Sequence, residues 1–90
     1  MQKEGKVYII NKLGLHARAA AKFVDCAAQF SSEIELHSQN TSANGKSIMS
    51  ILMLAAGRGT EITLITRGKD ADRAYHALES LIADRFEEAE

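Results

Sequence analysis

His16 and Arg18 are the two residues of this chain whose types and spacing most directly suggest chemistry. They stand between a β-branched segment and an alanine-rich segment that favours a helix. Histidine is a poor helix N-cap compared with Ser, Asp or Asn, so its position asks for another explanation. Imidazole is a nucleophile near neutral pH, and the planar guanidinium of arginine suits phosphate oxygens. The pair predicts a site that handles an anionic group, although an exposed loop histidine with an arginine nearby by chance has the same pattern.

The start of the predicted helix is suited to such a site. The first N–H groups of an α-helix have no partner within the helix, and the helix dipole is positive at that end. Those of Ala17, Arg18 and Ala19 would favour a phosphate beside His16, so the backbone of Ala17 and Arg18 is the predicted phosphoryl-binding element. The small side chains that follow, including Ala20 and Ala21, leave a smooth surface that another protein could approach.

Strand-like and helix-like segments alternate along the chain. The predicted strands are residues 7–10, 33–37 and 61–66, with a short return strand in the polar run 38–45. The predicted helices begin at Ala17, after Ser47 and after Asp70. Ser47 and Asp70 are the expected N-caps of the second and third helices. In the second helix, Ile51 and Leu54 are expected to point inward. This order predicts an α+β fold, an open-faced two-layer sandwich with three helices on one face of a four-stranded, mostly antiparallel sheet.

Composition limits the class of protein further. With 90 residues, 46% of them hydrophobic, one domain over residues 1–90 is expected. Lys and Arg total 11 and Asp and Glu total 12, so the basic excess of a nucleic-acid-binding protein is missing. We expect a cytoplasmic protein, because the chain has a single cysteine and no signal-peptide pattern. We expect no membrane insertion, because the longest apolar run, 48–56, is too short to span a bilayer. No residues have metal-ligand spacing, and the charge run Glu87-Glu88-Ala89-Glu90 is expected to be a solvated helix end or tail.

Three segments resemble the HPr family, the histidine-containing phosphocarriers of the bacterial phosphoenolpyruvate-dependent sugar phosphotransferase system. Residues 11–24 (NKLGLHARAAAKFV) look like the active-site segment of the family. Residues 44–54 (NGKSIMSILML) look like its regulatory-serine segment and the helix that follows. Residues 57–63 (GRGTEIT) look like the approach to the last strand. The resemblance extends from about Val7 to about Phe86 and implies the same open-faced β-sandwich.

The resemblance also implies a function. Nδ1 of His16 would accept a phosphoryl group from phosphorylated enzyme I and pass it to a sugar-specific IIA domain. Arg18 would neutralise charge during the transfer. The chain would then be a carrier without a cofactor rather than an enzyme, and a monomer, since a relay protein must release its partners.

Two further features follow from the resemblance. Ser47 matches a serine that HPr kinase/phosphorylase phosphorylates in some bacteria, and its ordinary role as an N-cap is compatible with that. A partner-facing surface is expected at six residues. These are Ala20, Ala21, Ile48, Met49, Leu52 and Met53.

The chain departs from the family at one position of the active-site segment. Family members usually have proline after the active-site arginine, whereas this chain has Ala19 and no proline at all. Alanine restores an N–H and loosens the backbone that presents His16.

Two alternative functions stay open on the sequence. The chain could be an HPr paralogue of a regulatory, nitrogen-related phosphotransferase system. It could also be a regulatory module that only binds an anion at His16 and Arg18.

Overall fold

The computed structural model describes residues 1–90 and has the predicted order of elements. The strands are β1 (Gln2–Tyr8), β2 (Glu33–Ser38), β3 (Thr41–Asn44) and β4 (Glu61–Arg67). The helices are α1 (Ala17–Ala27), α2 (Ile48–Leu52) and α3 (Ala71–Ala83), and one short turn, Arg85–Glu87, follows α3. The strands form one sheet in the order β1-β4-β2-β3. All three neighbouring pairs are antiparallel, so the predicted α+β fold and the short return strand are confirmed.

β1 lies nearer the N-terminus than the sequence predicted. The prediction was residues 7–10, but β1 pairs with β4 from Gln2 opposite Arg67 to Tyr8 opposite Glu61. β1 is an edge strand with exposed and half-buried residues before Val7, so its first half lacks the apolar alternation that marks a strand. Charged and polar residues are common on edge strands because they oppose pairing of the free backbone N–H and C=O groups with another chain.

A single hydrophobic core lies between the sheet and the helices. It combines the inward side chains of the strands with one face each of α1, α2 and α3. Its largest fully buried apolar side chains are Ile9, Phe23, Leu36, Ile51, Ile62, Leu64, Leu78 and Phe86. Each contributes about 1.5–3 kcal/mol relative to an exposed position. Because Phe86 lies beyond α3, the core also anchors the C-terminal residues. No helix of the structure combines the length and the hydropathy needed to cross a bilayer.

Of the two predicted N-caps, one is confirmed and the other uses its side chain elsewhere. The Ser50 N–H donates to Oγ of Ser47 at 3.2 Å, so Ser47 caps α2. Asp70 occupies the N-cap position of α3, but its carboxylate makes no cap hydrogen bond. Instead it accepts from the Ser31 and Ser32 N–H groups at 2.9 and 3.0 Å and from the Ser32 hydroxyl. The carboxylate therefore ties the loop between α1 and β2 to the start of α3.

These hydrogen bonds make stability depend on pH. The Ser32 hydroxyl, followed by the Ser31 and Ser32 N–H groups, lowers the pKa of Asp70 to about 2. An unfolded aspartate has a pKa of about 3.9, so the ionised carboxylate stabilises the fold above that pH. The contribution is lost as the pH falls from about 4 to about 2.

Asp70→Asn is expected to lower the melting temperature at neutral pH, because an amide cannot accept all three hydrogen bonds. The difference from the wild type should shrink as the pH falls from about 4, where Asp70 of the unfolded chain binds a proton, to about 2, where the folded carboxylate does. Thermal unfolding followed by circular dichroism between neutral pH and pH 2 measures this. Asp72→Asn, in the first turn of α3, is the control for loss of the charge alone. A difference that stays constant over the whole range would contradict the account.

Candidate functional site

His16 is the N-cap residue of α1 and has an extended backbone, with φ −78° and ψ −179°. Its carbonyl accepts the Ala20 N–H at 2.9 Å, whereas its ring makes no cap hydrogen bond. The N–H groups of Ala17, Arg18 and Ala19 have no hydrogen-bond partner. The imidazole thus belongs to the residue that opens a helix, with three unpaired donors following it at the positive end of the helix dipole.

The turn before His16 is fixed by hydrogen bonds and by one glycine. The buried Asn11 side chain donates from Nδ2 to the Gly14 carbonyl at 2.8 Å. Gly14 has φ +70°, and a Cβ there would lie 2.7 Å from the Ala56 carbonyl oxygen and 2.8 Å from the Gly57 Cα. A side chain would therefore be both strained and in collision with backbone. The Leu15 N–H also donates to the Ala56 carbonyl at 2.9 Å, so the chain enters α1 along one defined path.

The C-terminal segment, residues 85–90, lies against this turn. Oε2 of Glu88 is in hydrogen-bond contact with Nε2 of His16, and Nδ2 of Asn11 donates to Oε1 of Glu88 at 3.0 Å. Only 12% of the Glu88 side chain and 29% of the His16 side chain are exposed. The prediction of a solvated tail is therefore wrong for Glu88. Seventy-two positions separate the two residues, so no local pattern could have indicated the contact.

Glu88 is ionised at neutral pH. Burial alone would raise the pKa of Glu88, but hydrogen bonds from Asn11 and His16 outweigh burial and lower it below the ordinary value. The positive charge of Arg18 acts in the same direction. An anionic carboxylate is thus held beside the imidazole under physiological conditions.

Arg18 is exposed and has no carboxylate within salt-bridge distance. It lines a shallow, open depression together with His16, Lys12, Lys22 and the C-terminal segment. The depression therefore offers one guanidinium that forms no salt bridge within the protein. No group of three or more His, Cys, Asp or Glu side chains is arranged to hold a metal ion.

The α2 residues of the predicted partner surface differ in how far they are exposed. Met49 and Met53 are 68% and 75% exposed, and Ile48 is 39% exposed. Leu52 is half-buried, whereas Ile51 points into the core as predicted, together with Leu54. We call Ile48, Met49, Leu52 and Met53 the apolar surface of α2. α2 packs beside α1.

The α1 part of the predicted surface needs one correction. Ala20 is fully buried and cannot contact a partner, because it lies on the helix stripe that carries Phe23 into the core. Ala21 is half-buried and stays at the surface. Ala17 and Arg18 are exposed, so α1 reaches the surface through its first turn.

Comparison with known proteins agrees with this fold. The family model described as "PTS HPr component phosphorylation site" matches residues 3–84. The phosphocarrier protein HPr of Pseudomonas aeruginosa is 49% identical over 86 residues, which cover 94% of this chain and 96% of that protein. The phosphocarrier protein NPr of Shewanella violacea is 44% identical over 86 residues, covering 96% of this chain and 94% of that protein. The crystal structure of HPr-C-His from Thermoanaerobacter tengcongensis superposes with a TM-score of 0.94 at 43% identity, covering 98% of this chain and 99% of that one.

The open antiparallel sheet, with a histidine at the start of its first helix, is the architecture of a phosphocarrier protein. The chain belongs to the HPr family of the phosphotransferase system. Its relatives are named phosphocarrier proteins, and the protein is a phosphocarrier rather than an enzyme.

Proposed function

We propose that Nδ1 of His16 accepts a phosphoryl group from phosphorylated enzyme I and passes it to a IIA component of the phosphotransferase system. The observation that carries the proposal is the place of His16 at the helix N-cap, followed by the unpaired N–H groups of Ala17 and Arg18. These donors are available to an incoming phosphate without breaking any hydrogen bond of the fold. A helix N-terminus with free donors is a recurring phosphate site in proteins.

Arg18 supplies the second part of the proposed site. Its guanidinium carries a charge that no carboxylate pairs, and it lines the same depression as His16. During transfer the phosphoryl oxygens bear negative charge that a planar guanidinium can bind through two parallel hydrogen bonds. Arg18 would therefore stabilise the phosphoryl group while it lies between the donor and acceptor nitrogens.

We place the docking surface for these partners on α2 and the first turn of α1. Exposed methionines adapt to differently shaped partners, and a carrier must bind at least a donor and an acceptor. The apolar surface of α2 presents Met49 and Met53, and α1 adds Ala21 at its side. A docking surface made of these few residues fits short-lived complexes between a cytoplasmic monomer and its partners.

A second candidate is a carrier of the nitrogen-related branch. The NPr relative from Shewanella violacea favours it, since its identity of 44% is close to the 49% of the HPr relative. The Lys46–Ser47 pair favours the sugar branch under serine-kinase control. Transfer rates to a sugar-specific IIA and to a nitrogen-branch IIA, measured side by side, distinguish the two.

Incubation with phosphoenolpyruvate and enzyme I is expected to add one acid-labile, base-stable phosphoryl group per chain, because a phosphorus–nitrogen bond to imidazole has that stability. His16→Ala should abolish the labelling, and Arg18→Ala should slow it on the order of a hundredfold, as loss of one charge-stabilising donor does elsewhere. His76→Ala, an exposed histidine on α3, is the matched control and should be labelled normally. Equal labelling of the His16→Ala variant, or none of the wild type, would overturn the proposal. A module that only binds anions would give the second result.

We also propose that Ser47 is a site of regulatory phosphorylation by HPr kinase/phosphorylase. Ser47 is half-buried at the start of α2, directly before the exposed residues Ile48 and Met49. A phosphate there is compatible with the helix dipole but places charge beside the apolar surface of α2. Docking of partners would weaken while the fold stays intact.

Incubation with the kinase and ATP is expected to label the wild type and Ser50→Ala but not Ser47→Ala. The phosphorylated chain should then accept the phosphoryl group from enzyme I more slowly. Since Ser47 is also the N-cap of α2, Ser47→Ala should lower the free energy of unfolding by about 1 kcal/mol. Undiminished labelling of Ser47→Ala would remove Ser47 from the proposal.

A further inference from the structure

We propose that Glu88 is a positioning residue for phosphoryl transfer, because its carboxylate holds the proton of His16 on Nε2 and so leaves the lone pair on Nδ1. This inference rests on the proposed function of His16. A neutral histidine carries its proton on one of two ring nitrogens. The hydrogen bonds that the two nitrogens make with neighbouring groups decide which one is protonated. A carboxylate only accepts hydrogen bonds, so its contact with Nε2 selects the tautomer in which Nε2 is protonated.

The carboxylate is itself held in place. One oxygen faces His16, and the other accepts from Nδ2 of Asn11 at 3.0 Å. Asn11 is fully buried, and the same Nδ2 also donates to the Gly14 carbonyl, in the turn that leads into α1. Glu88 and the backbone that presents His16 are therefore fixed by one common residue. This is the arrangement of a histidine oriented by a carboxylate behind it.

The segment that carries Glu88 is attached to the body of the protein on both sides of that residue. Before it, Phe86 is fully buried and its carbonyl accepts from Nζ of Lys22 at 3.0 Å. After it, the Lys12 N–H donates to the Glu90 carbonyl at 2.7 Å. These contacts hold Glu88 over the site.

The backbone of this segment is costly to form. Arg85, Phe86 and Glu87 have φ values of 56°, 53° and 66°. The left-handed region is unfavourable for residues that have a Cβ atom, because the Cβ lies too close to the following carbonyl oxygen. Burial of Phe86 and the hydrogen bonds on either side of Glu88 offset that cost, so the segment is held by specific contacts rather than by local preference.

A negative charge behind the ring suits the transfer step. The Nδ1 lone pair forms the new nitrogen–phosphorus bond, while the phosphorus–nitrogen bond of the donor phosphohistidine breaks and its electron pair stays on the donor nitrogen. The Nε2 proton remains in place, so the His16 ring gains positive charge as the bond forms. The ionised carboxylate of Glu88 stabilises that charge, and it lies at Nε2, away from the phosphoryl group on Nδ1.

The test compares Glu88→Ala with Asp84→Ala, which removes the same charge at the end of α3, from a side chain that makes no cap hydrogen bond and does not line the depression beside His16. Nitrogen-15 NMR of the His16 ring reports the tautomer, and rapid-quench kinetics report kcat and KM for transfer from phosphorylated enzyme I. Glu88→Ala should convert a predominantly Nε2-protonated ring into a mixture of tautomers. It should also lower kcat about ten- to a hundredfold with KM unchanged, which is the size of effect known for losing the orienting partner of a metal-binding histidine. Asp84→Ala should change neither quantity.

Glu88→Gln keeps an acceptor but loses the charge, and it is expected to fall between the wild type and Glu88→Ala in both measurements. Unchanged tautomers, or an unchanged kcat, in Glu88→Ala would overturn the inference. So would a loss that appears only as a higher KM, because that would place Glu88 in docking. Failure of the proposed function looks different, since the wild type would then not be phosphorylated on His16 at all.

Discussion

The N–H groups in the first turn of an α-helix have no partner within the helix. The organisation of this protein follows from the place where α1 exposes its first N–H groups. Ala17 and Arg18 are exposed and leave theirs unpaired beside His16, at the edge of the fold. A buried start would have required capping side chains, and a disordered start would not have presented the imidazole. The Gly14 turn and the C-terminal segment both serve to hold this helix end in one geometry while keeping its donors free.

Ala19 tests how far this geometry depends on a rigid residue. Family members usually have proline here, which fixes φ and removes an N–H that a helix start does not need. In this chain the N–H of Ala19 is unpaired and its side chain is fully buried. Packing of Ala19 and the hydrogen bond from Leu15 to Ala56 restrain the same stretch of backbone, so the site keeps its form with a more flexible residue.

The parts of the fold and site that could be predicted are those encoded by neighbouring residues. Apolar spacing located the three helices, Ser47 was recognised as a cap, and the order of elements limited the sheet to an open antiparallel one. The parts that could not be predicted depend on residues distant in sequence. Asp70 has the local pattern of an N-cap, but its carboxylate accepts hydrogen bonds from Ser32 instead. Glu88 has the local pattern of an acidic tail, but burial of Phe86 in the core holds it against the protein. Ala20 satisfied two patterns, a smooth surface and a buried stripe, and core packing decided between them.

We propose that the helix start and its surroundings make Nδ1 of His16 the nitrogen that carries the phosphoryl group. Phosphorus–nitrogen correlation NMR on the uniformly nitrogen-15-labelled protein, loaded by enzyme I and phosphoenolpyruvate, distinguishes the ring nitrogens. We expect phosphorus to be coupled to Nδ1 of His16 and the Nε2 of the same ring to stay protonated. Coupling of phosphorus to Nε2 of His16, or to a ring nitrogen of His37 or His76, would show that this assignment is wrong.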